Sequence, residues 1–376
     1  MNFEILALVA ALGLIGPLLA LPTTLRLPVV LGELVAGIVI GRTGFQIFDS
    51  TDVTATFLAN IGFALVMFVA GTHVPIRDPH LMAGIRVGAG RAVAIGVVST
   101  GIAWAVTTAF GTGHLGLYAV LMASSSAAII MPIVDSGKLS GSAVLQMLPQ
   151  IAIADAACIV ALPLVVDPSR AARAAVGSVV VIACAVVLFL VFRRLEASGV
   201  RRRVHRLSER RKFALELRIN LAILFGLAAV AVFTHVSIML AGFSFGLAIA
   251  AIGPPRRLTK QMFAITEGFL GPVYFVWLGA SLDLRDLGAH PAMIGLGVAL
   301  GLGAVITHAA MRVTGQPLAV GVLAAAQLGV PVSAVTLGTQ SGLFAPGEAP
   351  AIILGALITL AAATAAGSRL GRNPAQ

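Results

Sequence analysis

The chain has 376 residues, of which 59% are hydrophobic and only 11% charged, and its mean hydropathy is +1.02. A soluble domain carries about 25% charged residues, so this composition leaves too little polar surface to cover a water-soluble core. The formal charge of +10 invites a nucleic-acid reading, but the basic residues fall between apolar runs, which is a membrane-topology pattern; no nucleic-acid partner is expected.

In chain order, apolar runs predict about thirteen transmembrane helices, starting near Phe3, Pro28, Ala55, Val87, Leu115, Ser142, Ala174, Leu217, Ser237, Met262, Ala292, Leu318 and Ala349. The first run lacks a basic leader region and an evident cleavage site, so it reads as a retained helix. Pro28–Ile40 and Ser237–Ile252 are short for a straight crossing, which local thinning of the bilayer can accommodate. Forty-one glycines suit close helix packing in lipid. Cys158 and Cys184 lie inside apolar runs and imply no disulfide framework.

Alternating the loops between the two sides places 21 of the 25 Lys and Arg on one side and four on the other. The positive-inside rule makes the rich side cytoplasmic, with the N-terminus outside and the C-terminus inside, in the plasma or inner membrane. The expected organisation is a first six-helix repeat over 1–170, a linking helix over 171–192 and a basic cytoplasmic linker over 193–216. A second six-helix repeat over 217–368 and a short tail over 369–376 complete it. The two sets of six begin on opposite sides, which is an inverted repeat, a recurring transporter plan with its site near mid-membrane where broken helices meet. The basic linker reads as a segment lying on anionic membrane lipid.

Asp155 sits alone in the apolar run Leu145–Leu164. An ionised carboxylate at that depth costs at least a few kcal/mol and normally serves an ion path, a cavity or a partner. An apolar setting favours the neutral acid and a bound cation favours the carboxylate, so proton and cation compete for one group. In the preceding run, Ser124, Ser125 and Ser126 stand before Pro132, where freed backbone groups and hydroxyls can supply the oxygen ligands that hard cations prefer; the alternative is serines used for helix packing. Gly329-Val330-Pro331 predicts a counterpart break with Gln327 and Ser333 as polar neighbours. Glu33, near a helix start, is a further acid within a run, and His308, with Arg312 at i+4, is either a satisfied interior histidine or a pH-responsive group. No nucleotide-binding loop, nucleophile constellation or zinc spacing is present in the sequence, so an enzyme is not expected.

Five blocks carry a family resemblance. Residues 27–41 (LPVVLGELVAGIVIG), 61–71 (IGFALVMFVAG), Ser125-Ser126-Ala127-Ala128 followed by Asp155, 237–243 (SIMLAGF) and 275–283 (FVWLGASLD) occur in order at appropriate spacing. Together they resemble the monovalent cation:proton antiporters related to Kef-type potassium efflux and NapA-type sodium exchangers, over nearly the whole chain. The departures are Ala154 before Asp155, Ala127 for a threonine, the run Ala292–Arg312, where many members have a Lys or Arg and the nearest candidates are His308 and Arg312, and Leu328-Gly329-Val330 where many members carry Arg-Gly-Glu. The nucleotide-binding domain of Kef-type proteins is not part of the chain.

The resemblance implies an all-α NapA-like antiporter fold with broken crossing helices, a homodimer, and proton exchange for Na⁺ or K⁺ by alternating access without a cofactor. Asp155, Ser125 and Ser126 would bind the ion, with Asp155 as the monovalent-cation ligand; Ser124, Glu33, Gln327, Ser333 and His308 are further contributors. A single carboxylate implies electroneutral exchange. Rival expectations are a channel-like cation path and an organic-ion exporter on the same scaffold.

Overall fold

A computed structural model of the chain describes residues 1–21, 29–74, 76–77, 79–137, 139, 141–166, 171–199, 213–234, 236–253 and 256–372. The basic runs 201–203 and 210–212 of the expected linker lie outside the described residues.

The described chain is helical throughout. The first set of helices is α1 (Phe3–Leu12), α2 (Ile15–Ala20), α3 (Val29–Ile40), α4 (Val53–Thr72), α5 (Pro79–Phe110), α6 (Leu115–Ala123), α7 (Ala127–Gly137) and α8 (Ser142–Val166). They are followed by α9 (Ala171–Ala197), α10 (Leu215–Phe233), α11 (Ile238–Ile252) and α12 (Arg256–Ile265). A π turn, Thr266–Leu270, joins α12 to α13 (Gly271–Ser281). Then come α14 (Leu284–Ala289), α15 (Pro291–Ala309) with a 3-10 extension Ala310–Thr314, α16 (Leu318–Ala324), α17 (Gly329–Gln340) and α18 (Glu348–Arg372).

Ten helical stretches among the described residues are long and apolar enough to cross a membrane, and two shorter apolar helices, Val29–Ile40 and Ile238–Ile252, join them. The segment 115–137 is also apolar but is interrupted between α6 and α7. Helix starts follow local chemistry. Asp52 caps α4 by accepting from Ala55 N at 2.9 Å, and Ser237 caps α11 by accepting from Met239 N at 3.2 Å. Such helices are apolar all round because lipid replaces water on their outer side. On α9, Val176, Val179 and Val187 are exposed accordingly.

The helices sort into two bundles. In one, α3 packs on α13, and α4 packs on α11 and α13. Small residues make these crossings tight: a Cβ on Gly37 would overlap the Val276 carbonyl, and Gly71 and Gly246 face each other across the α4–α11 contact. Trp277 fastens this bundle to the 41–52 loop by donating from Nε1 to the Ser50 carbonyl at 2.9 Å. In the second bundle α5 packs on α6 and α8, and α15 on α18, where Gly297 and Gly301 lie against the carbonyls of Ala351 and Gly355. The bundles touch where Ser333 on α17 meets Met239 on α11 at 2.7 Å and Gly329 faces Met67.

Helix α5 begins at Pro79, ahead of the start expected near Val87, so Arg86 as well as Arg91 sits inside it. The helix runs 32 residues, longer than a bilayer crossing needs, so it carries these arginines within its own first turns and beyond.

Candidate ion site at two interrupted helices

Two helices of the second bundle are broken, and the breaks meet. Helix α6 ends where Ser124 adopts an extended backbone (φ −70°, ψ 152°), Ser124–Ser126 are non-helical, and α7 restarts at Ala127. In the counterpart, α16 ends at Ala324, 325–328 are non-helical, and α17 begins at Gly329. Neither break falls on a proline. Pro331 lies in the first turn of α17, where its missing N–H would have been unpaired in any case, and Pro132 lies within α7. The proline signals therefore mark the half-helices that follow the breaks.

The freed groups pair across the gap. Ser125 Oγ donates to the Ala324 carbonyl at 2.8 Å. Ser124 Oγ lies 2.6 Å from Gln327 Oε1 and 2.8 Å from the Leu121 carbonyl. Gln327 N donates to Thr359 Oγ1 of α18 at 3.4 Å, and Thr359 donates to the Ala356 carbonyl at 2.7 Å. All of these side chains are buried. Both half-helix pairs are thus held by short polar contacts where water is excluded, and unpaired groups there would be costly.

Asp155, 6% exposed on α8, faces this junction. Its Oδ2 accepts from Ala127 N at 3.4 Å, so the carboxylate stands at the N-terminus of α7, where the free N–H groups and the helix dipole favour negative charge. Pro149 and Pro163 lie within α8 on either side of it, each removing one helical hydrogen bond. His308 on α15 is fully buried beside the carbonyls of Met122 and Ser124, although neither ring nitrogen makes a well-formed hydrogen bond.

Of the residues singled out in the sequence, Asp155, Ser124, Ser125, Ser126, Gln327 and His308 gather around the breaks. Ser333 lies further along α17, bonded to Met239, and Glu33 lies in the other bundle, against Gly16. Thr359 was missed; a lone threonine in an apolar run carries no sequence signal. Among the described residues no group of three or more His, Cys, Asp or Glu could hold a metal ion.

Residues 7–369 match the family described as sodium/hydrogen exchanger, transmembrane. The chain belongs to that family. The chain is also 22% identical over 303 residues to the "Putative Na(+)/H(+) antiporter YjbQ" of Bacillus subtilis (strain 168), covering 75% of this chain and 48% of that protein. It spans about half the length of this curated relative. Its fold matches that of the sodium proton antiporter MjNhaP1 from Methanocaldococcus jannaschii, solved at pH 8, with a TM-score of 0.66 at 15% identity, covering 99% of this chain and 97% of that one. The chain is a multi-pass membrane protein of the antiporter fold, helical without strands among the described residues, in agreement with the family expected from its sequence blocks.

Proposed function

We propose that this exchanger moves a monovalent cation, Na⁺ or K⁺, against a proton, with Asp155 holding one or the other in turn. The observation that carries this reading is the placement of a lone, buried carboxylate beside two helix breaks that are cross-braced by serine hydroxyls and carbonyls. A proton neutralises the acid in its apolar surroundings; a cation replaces it by drawing on the carboxylate, Ser125, Ser126 and backbone carbonyls near the breaks. The empty, charged site is costly in the membrane, which discourages its crossing without cargo and so couples the two fluxes.

The second bundle, which carries both broken helices, would move against the first to expose the site to either side, as inverted-repeat transporters do. The reading includes thirteen spans, as two inverted six-helix sets joined by a linking helix, with an outside N-terminus, a cytoplasmic C-terminus and a homodimer in the plasma membrane. One carboxylate gives one proton per monovalent cation, hence electroneutral exchange. The experiment is a pH-gradient assay in proteoliposomes with Li⁺, Na⁺, K⁺ and Rb⁺ in turn. Dissipation by Na⁺ or K⁺ with saturation supports the proposal, and dissipation by none of the four contradicts it.

A further inference from the structure

Away from the ion site, at the junction of α5, α8 and the turn between α15 and α16, lies a second polar nest. Arg91, 4% exposed, sits inside the apolar stretch Gly84–Phe110. Its Nε donates to Thr314 Oγ1 at 2.9 Å and its Nη2 to the Thr314 carbonyl at 3.3 Å, so the side-on fork of the guanidinium is spent on the end of the 3-10 extension. The remaining nitrogen, Nη1, is buried with no hydrogen-bond partner. The ion pairs found among the described residues do not involve Arg91.

Gly88 precedes Arg91 by one helical turn on the same face, and a Cβ there would lie 2.7 Å from Gln150 N, which brings α8 against this part of α5. Gln150 is fully buried and its Oε1 accepts from Gln316 Nε2 at 3.1 Å; Gln316 follows Thr314 by two residues. Gln150 Nε2 and Gln316 Oε1 have no partner. Whichever way the two amides are turned, their one mutual bond leaves one NH₂ free to donate.

We infer that this nest binds a small monovalent anion of halide type, held by Arg91 Nη1 and the free carboxamide NH₂. A covered guanidinium without a carboxylate is stabilised by a counter-charge, and buried unpaired donors are costly unless a ligand or water meets them. The shape of the ligand follows from which nitrogen is free. The side-on fork of Nε and Nη2 is used on Thr314, so a ligand meets the end of the guanidinium at Nη1, where a halide, which accepts from any direction, needs no second aligned donor of the arginine. The inference is independent of the cation exchange proposed for Asp155.

The test uses the purified full chain, with melting temperature measured in sodium bromide, sodium chloride and sodium gluconate at equal ionic strength. The expected result is a saturable rise in bromide and chloride over gluconate that is lost in Arg91→Gln. If Arg91→Gln does not fold, Gln150→Glu decides: it supplies a built-in anion, so its melting temperature in gluconate should match wild type in bromide and show no further halide response. Crystals soaked in bromide should show an anomalous peak within hydrogen-bond distance of Arg91 Nη1. Equal melting temperatures of wild type in the three salts, a halide response undiminished in Arg91→Gln or Gln150→Glu, or water without an anomalous peak would overturn the inference.

Discussion

The Ser125 hydroxyl donates to the Ala324 carbonyl over 2.8 Å, joining two half-helix ends that are 199 residues apart. Together with the Ser124–Gln327 contact, it ties the two interrupted helices to each other at their breaks. It also fixes the stretch that leads from Ser124 to Ala127, and hence the amide that meets Asp155.

Ser125→Ala should therefore act on both stability and binding. A lost hydrogen bond costs about 1 kcal/mol net, more where a buried carbonyl is left unpaired. The cation concentration giving half-maximal dissipation of a pH gradient should rise several-fold, with a smaller change in the rate at saturation. A lower melting temperature with an unchanged half-saturation concentration would leave Ser125 as a brace and remove it from the ion site.

Exchange should be insensitive to membrane potential. A net elementary charge crossing the membrane is worth about 2.3 kcal/mol per 100 mV, a large effect on rate, whereas one proton moved against one monovalent cation transfers no net charge. Imposing a potential across proteoliposomes should leave the rate nearly constant. A rate that scales with voltage would mean that another charge moves, and His308, buried beside the Met122 and Ser124 carbonyls, is the first residue to substitute.

Orientation can be read by cysteine labelling in a background where Cys158 and Cys184 are replaced. Ser198 is exposed at the end of α9, and Thr51 is exposed in the loop before α4. A cysteine at Thr51 should react with an impermeant reagent added to intact cells, and one at Ser198 should react only after permeabilisation. The reverse pattern would invert the topology drawn from the distribution of Lys and Arg.

Glu348, fully buried at the start of α18, accepts from Tyr118 OH at 2.7 Å and Ala345 N at 3.1 Å, and pairs with His114 Nδ1 at 2.6 Å. Glu348→Ala leaves these donors without an acceptor, at about 1–3 kcal/mol for each buried group left unpaired. The melting temperature should fall clearly, and less in Glu348→Gln, which keeps one acceptor oxygen. Equal stability of both variants with wild type would show that water replaces the carboxylate without loss.

The helical architecture was legible because each crossing needs a run of apolar residues, and such runs survive in the sequence whatever they pack against. Asp155 was legible for the converse reason: a lone acid in such a run has few inexpensive explanations. What the sequence could not supply was pairing across long separations. Nothing local links Ser125 to Ala324, Gln327 to Thr359, or Arg91 to Thr314. Pro331 pointed to the right helix but the wrong residues, because proline fits the first turn of a new half-helix as well as it disrupts an old one. Arg91 lies within the apolar helix because its guanidinium is spent on the end of a neighbouring helix, a pairing no local sequence feature announces.

The central claim is that the Asp155 carboxylate alternates between proton and cation. Asparagine keeps its size and can still accept from Ala127 N, but it cannot release a proton. The decisive measurement is cation-driven dissipation of a pH gradient by purified Asp155→Asn in proteoliposomes, alongside its melting temperature. The account predicts no cation-dependent proton movement from a protein that melts within a few degrees of wild type. Exchange by Asp155→Asn at the wild-type rate would contradict it and make Asp155 a structural residue.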